Sequence, residues 1–77
     1  MRVRCVGYAE KYDDELVTIG KIYEAQINPE WYDFAVQTDK SERLGVGLSR
    51  FSFEFVAGTP EEKALWDYCE EHGIDGL

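Results

Sequence analysis

The chain carries few of the groups that do chemistry. Its 77 residues include one histidine and two cysteines. Cys5 and Cys69 lie too far apart, in segments of different type, to form a C-x-x-C redox pair or a zinc knuckle. No apolar run approaches the ~20 residues that a membrane-spanning helix needs. No charged segment followed by an apolar one opens the sequence, so no signal peptide is read. A soluble protein of the cytoplasm with free thiols is expected, a Cys5–Cys69 bridge being the alternative. Positive charge is also scarce: eight Lys and Arg face sixteen Asp and Glu, a formal net charge of -8. That balance makes nucleic acid an unfavourable partner, because a phosphate backbone rewards positive surfaces, and it points to protein partners, basic ones in particular.

What the chain does have is aromatic bulk. Eleven Phe, Tyr and Trp residues in a chain this short can fill one core and no second, so residues 1–77 read as a single domain. Residues 2–6 alternate Val3 and Cys5 with Arg2 and Arg4, the period of a half-buried strand. Residues 7–15 are polar and too long for a tight turn, which predicts an exposed loop rich in acids. Residues 22–27 put Tyr23, Ala25 and Ile27 on one face, and Asn28-Pro29-Glu30 reads as a turn. Residues 31–38 place Tyr32, Phe34 and Val36 on one face of a further strand. Asp39 to Arg43 makes a polar loop, and the glycine-bearing stretch 44–48 predicts a strand that bends. In the last strand Phe51, Phe53 and Phe55 are expected to share the inner face.

Thr59-Pro60-Glu61-Glu62 then has the signature of a helix start: a threonine cap, proline at the first helical position and glutamate at the capping-box position. The helix is expected over 60–72, with Gly73 as its stop and 74–77 as a short tail. Leu65, Tyr68 and Cys69 form an i, i+3, i+4 stripe that docks on the sheet, broadened by Ala64 and with Trp66 half exposed at its margin. The fold class is therefore mainly β: a five-stranded SH3-like small barrel over 1–57 followed by one C-terminal α-helix.

The order Val-Arg-Cys-Val, then Leu-Val-Thr-Ile-Gly-Lys-Ile-Tyr-Glu, then Ser-Arg-Phe ahead of Phe-Glu-Phe-Val, resembles the small SH3-like β-barrel proteins encoded by phages and prophages. The resemblance covers residues 2–56. It implies the barrel, a phage or prophage origin and a place in the cytoplasm of a bacterial host cell, while the added helix and the acidic surface depart from the pattern.

No catalytic, metal or cofactor site is read from these residues, and the chain is not expected to be an enzyme. His72 fits a helix-terminal cation better than an acid/base group, since no nucleophile is implied beside it. The cysteines fit small buried hydrophobes. Asp13, Asp14 and Glu15, with Glu10, lack the rhythm of a calcium loop and read as a solvated acidic loop. The candidate partner-binding residues are Tyr8, Tyr12 and Trp31, expected to gather at one barrel end beside Tyr32, the loop acids Asp13, Asp14 and Glu15, and Trp66 framed on the helix by Glu62, Asp67 and Glu70. They imply a protein-interaction module acting on a host or phage protein, as a monomer or homodimer. One alternative is an acidic nucleic-acid mimic that inhibits a DNA- or RNA-binding protein. The other is a single-stranded nucleic-acid-binding barrel that uses Arg2, Arg4, Lys21 and Arg50.

Overall fold

In the computed structural model, which describes residues 1–40 and 48–73 together with the backbone of 44–45, the chain is mainly β with one C-terminal helix. The strands are β1 (Arg2–Cys5), β2 (Ile22–Ile27), β3 (Phe34–Gln37), β4 (Leu44–Gly45) and β5 (Phe53–Ala57), followed by α1 (Pro60–Glu71). Four strands of four to six residues carry the sheet, and the two-residue β4 lies against β3. All neighbours are antiparallel in the order β4-β3-β2-β1-β5. The sheet is open, with β4 and β5 at its two edges. Residues 41–43, 46–47 and 74–77, which include most of the expected polar loop, part of the bending strand and the tail, lie outside the described residues.

The strands form where the alternation is strict. Val3 and Cys5 are fully buried, and Tyr23, Ala25 and Ile27 turn inward while Ile22, Glu24 and Gln26 face out. β2 is shared lengthwise: Ile22 to Glu24 pair with β1, and Ala25 to Ile27 pair with β3. Its two neighbours are therefore staggered along it. Between β1 and β5 the register slips by one residue, with Val3 opposite Phe55 but Arg2 opposite Ala57. Val56 is the extra residue of that bulge, and a bulge sharpens local twist.

Three expectations give way to packing. The strand expected from Trp31 begins only at Phe34, because Tyr32 adopts a left-handed backbone with φ 57°, which no strand accommodates. Phe51 does not share a face with Phe53 and Phe55. Arg50–Ser52 form a 3₁₀ turn capped by Ser49, whose Oγ accepts the Phe51 amide at 3.2 Å. The period of two is lost there, leaving Phe51 60% exposed, Phe53 buried and Phe55 half-buried. The buried stripe of α1 is also rotated by one position. Trp66 and Cys69 are each 1% exposed, Leu65 is half-buried and Tyr68 is 42% exposed. Neighbouring helix positions differ by about 100° around the axis, and the phase that buries the indole removes the most apolar surface from water.

Trp66 is therefore a core residue and not a half-exposed contact. Its ring meets Phe34 at 5.8 Å and Phe55 at 6.1 Å between centroids, which seats α1 on the sheet. Arg50, 1% exposed, lies with its guanidinium over the rings of Phe51 and Trp66, and its Nη2 donates to the Cys69 carbonyl at 2.8 Å. That bond fixes the end of α1 where backbone carbonyls lack helical partners. The start of the helix follows the sequence: Thr59 Oγ1 accepts the Glu62 amide (3.1 Å) and Glu62 Oε1 accepts the Thr59 amide (2.8 Å), a complete capping box. Gly73 closes the other end with φ 67°, a conformation glycine adopts without strain. Cys5 and Cys69 are both buried, free thiols, whose pKa values burial pushes upward. No helix among the described residues is long and apolar enough to cross a membrane.

Candidate functional site

The β2–β3 hairpin is built by one side chain. Asn28 Oδ1 accepts the amides of Glu30 (2.8 Å) and Trp31 (3.3 Å), an Asx-turn that Pro29 stiffens by fixing its own φ. Two backbone bonds close the loop: Asn28 N–H to Asp33 O at 2.9 Å and Tyr32 N–H to Asn28 O at 2.6 Å. This closure places Tyr32 at φ 57°, a position where glycine or asparagine is the usual occupant. A bulky side chain there costs on the order of 1 kcal/mol.

The strained position aims a ring at the helix. Tyr32 stacks on Tyr68 (5.4 Å, 18° between planes), and Tyr68 stacks on His72 (4.1 Å, 26°). His72 Nδ1 donates to the Tyr68 carbonyl at 2.9 Å, so the histidine ends the helix as expected. Burial, then the neighbouring Tyr68, pushes the Tyr32 phenol above its usual range.

Between hairpin and helix lies a groove of about 610 Å³. Ile27, Pro29 and Tyr32 form one wall, and Ala64, Leu65 and Tyr68 the other. Glu61 and Glu62 stand on its rim, and no cation among the described residues lines it. A depression of about 420 Å³ adjoins it through Ile27 and Pro29 and reaches Asp33. Glu62 is engaged: Oε2 meets the Met1 ammonium at 2.6 Å while Oε1 completes the capping box. The ammonium, with the Thr59 amide, holds its carboxyl down to about 2. Glu61, Glu30 and Asp33 form no ion pair among the described residues.

Of the residues singled out in the sequence, Glu62 lines this groove and Trp31 stands in its hairpin, 70% exposed. The others do not gather there. No ring pair among the described residues contains Tyr8, Tyr12 or Trp31, so these rings do not stack on one another. Tyr12 is 64% exposed with Lys11 over its ring. Asp13 is not a surface acid: it is 4% exposed, and its Oδ2 accepts the amides of Ala9 (3.1 Å) and Glu10 (2.9 Å). Asp14 and Glu15 stay exposed in the short 3₁₀ turn Asp13–Glu15, Asp67 pairs with Lys63 at 2.7 Å, and Glu70 is exposed. Pro29, Ala64 and Tyr68 were not singled out as contacts, and Tyr32 was named only beside Trp31 as an aromatic after the turn. The readable signal was Tyr32, an aromatic at the end of a turn whose closure favours glycine.

The cations considered for nucleic acid each have a partner within the chain. Arg4 pairs with Glu54 at 2.7 Å, Arg2 lies 3.9 Å from Glu24, Arg50 is buried and Lys21 pairs with Asp39. Asp39 also accepts from Thr18 Oγ1 (3.0 Å) and the Tyr23 hydroxyl (2.8 Å). Lys21, first, and then these two hydroxyls hold its pKa below the ordinary range. These groups satisfy one another. Among the described residues no cluster of three or more His, Cys, Asp and Glu side chains is arranged to hold a metal ion. Comparison with protein-family models, with curated proteins and with solved structures finds no match to this chain.

Proposed function

We propose that this chain is a non-catalytic protein-interaction module that recognises a segment of a host or phage protein through the groove between α1 and the β2–β3 hairpin. The observation that carries the reading is Tyr32. A glycine position is filled by a large ring, at a cost in backbone energy, and the ring is used to wall an apolar groove. The stagger of β1 and β3 along β2, with the Val56 bulge, supports a sheet curling into a five-stranded SH3-like small barrel. A barrel of that kind fits the phage and prophage proteins that the sequence resembles, and the bacterial cytoplasm in which they act.

The test is selection from a library of random dodecapeptides on the wild type and on Ala64→Arg. Ala64 is exposed on the helix and arginine is a good helix former, so the variant fills the groove without touching the core. Enrichment on the wild type that disappears on Ala64→Arg supports recognition in the groove. Equal enrichment on both, or none on either, rejects it.

A further inference from the structure

We infer that the occupant of the groove is a positively charged amphipathic segment of a partner protein, one that sets apolar side chains between the two walls and Lys or Arg against the rim. The inference rests on the groove being the recognition surface, and it adds the chemistry of what binds there. Charge complementarity carries it. Glu61 stands on the rim without an ion pair among the described residues. The nearest helix cation, Lys63, is held by Asp67 and lies over the Phe55 ring. An acidic segment would meet uncompensated repulsion there, and a purely apolar one would leave the rim carboxylates facing apolar surface.

The walls set the spacing of the apolar contacts. Glu61, Ala64 and Tyr68 fall on one helix face, and the seven steps from Glu61 to Tyr68 rise about 10 Å. That length accepts two apolar side chains from two turns of a helix laid beside α1. The small Ala64 at the centre leaves the room. A second copy of this chain is a poor occupant, since each copy carries a net charge of -8 and pairing the grooves would bring Glu61 against Glu61.

The structure supplies its own reporter. Trp31 is 70% exposed in the hairpin while Trp66 is 1% exposed in the core, so a blue shift on binding reads Trp31, and unchanged Trp66 emission in a Trp31→Phe background certifies the fold of each variant. The probe is a peptide with two leucines four positions apart, flanked by lysine and arginine. Two matched controls replace the flanking cations with glutamate or the leucines with serine. The cationic leucine peptide is expected to bind at least about tenfold more tightly than either control, since either loss removes more than a kcal/mol-scale contribution. Its binding is expected to weaken several-fold in Glu61→Lys, to weaken with salt, and to vanish in Ala64→Arg.

Equal binding of the serine peptide would reduce the effect to bulk charge attraction and overturn the inference. Equal binding of the glutamate-flanked peptide, lost in Ala64→Arg, would overturn the charge assignment while leaving the groove as a recognition surface. Binding of the cationic peptide that survives Ala64→Arg would overturn both. Failure of the peptide to bind at all overturns the inference, and the library selection then decides the groove by itself. A concentration-dependent dimer in sedimentation, broken by Ala64→Arg, would make a second copy the occupant and overturn the inference too.

Discussion

The first loop, residues 7–16, and the β2–β3 hairpin are made of the same materials, exposed tyrosine or tryptophan with several carboxylates, yet they end in opposite states. In the loop a carboxylate builds the turn: Asp13 is drawn inside, its side chain accepts two amides, and its carbonyl accepts from Leu16 and Val17, both at 2.9 Å. In the hairpin Asn28 does that work, and the ring and acids around it are left outside. Which residue satisfies the backbone decides which neighbours are available to a partner.

The two tryptophans mark the extremes of that comparison. Trp66→Ala is expected to cost about 3–5 kcal/mol, enough to unfold a domain of this size, whereas Trp31→Ala should stay within about 0.5 kcal/mol of wild type. Urea titration of both decides it, and a stable Trp66→Ala would break the division between core and contact. The carboxylates of the loop repeat the contrast at smaller scale. Asp13→Ala should lose about 2 kcal/mol, since two amides lose a charged acceptor, while Asp14→Ala should be nearly neutral. Similar midpoints for the two would erase the distinction.

Tyr32 sharpens the comparison further. Tyr32→Gly loses the stack on Tyr68 but relieves the left-handed backbone, two effects of about 1 kcal/mol each and opposite sign. Tyr32→Ala loses the stack and keeps the strain. The glycine variant should therefore be the more stable of the two, the reverse of the usual order, and thermal melts of the pair read the difference directly. If alanine is the more stable, the position is not strained.

The smallest effect concerns pH. The Glu62 carboxyl is lowered from 4.5 to about 2 by the Met1 ammonium, so its contribution is present above pH 4.5 and is lost as the pH falls toward 2. Asp39 shifts in the same direction. Glu62→Gln should flatten the acid side of the stability–pH profile, and an unchanged slope would mean that the ion pair adds nothing.

Much of the fold was legible because it rests on local rules. Strict alternation gave the inner faces of β1 and β2, and the Thr59, Pro60 and Glu62 combination located the start of α1 to the residue. The candidate site was legible only in fragments. Trp31 and Glu62 could be picked as exposed aromatic and helix-start acid, but Ala64 and Pro29 carry no signal of their own. Asp13 looked like its two exposed neighbours because a bond from its side chain to amides three and four residues back is not written in composition.

The sequence by itself determined the mainly β fold class with its C-terminal helix, the inward faces of β1 and β2, the ends of the helix and the acidic charge, since periodicity, caps and composition act between near neighbours. Only the tertiary structure decided that Trp66 and not Tyr68 enters the core, that Phe51 leaves it, and that Tyr32 meets Tyr68 to wall a groove. Those outcomes depend on surfaces brought together from distant parts of the chain, where burying the largest ring outweighs both the preferred phase of a helix stripe and the comfort of a single backbone angle.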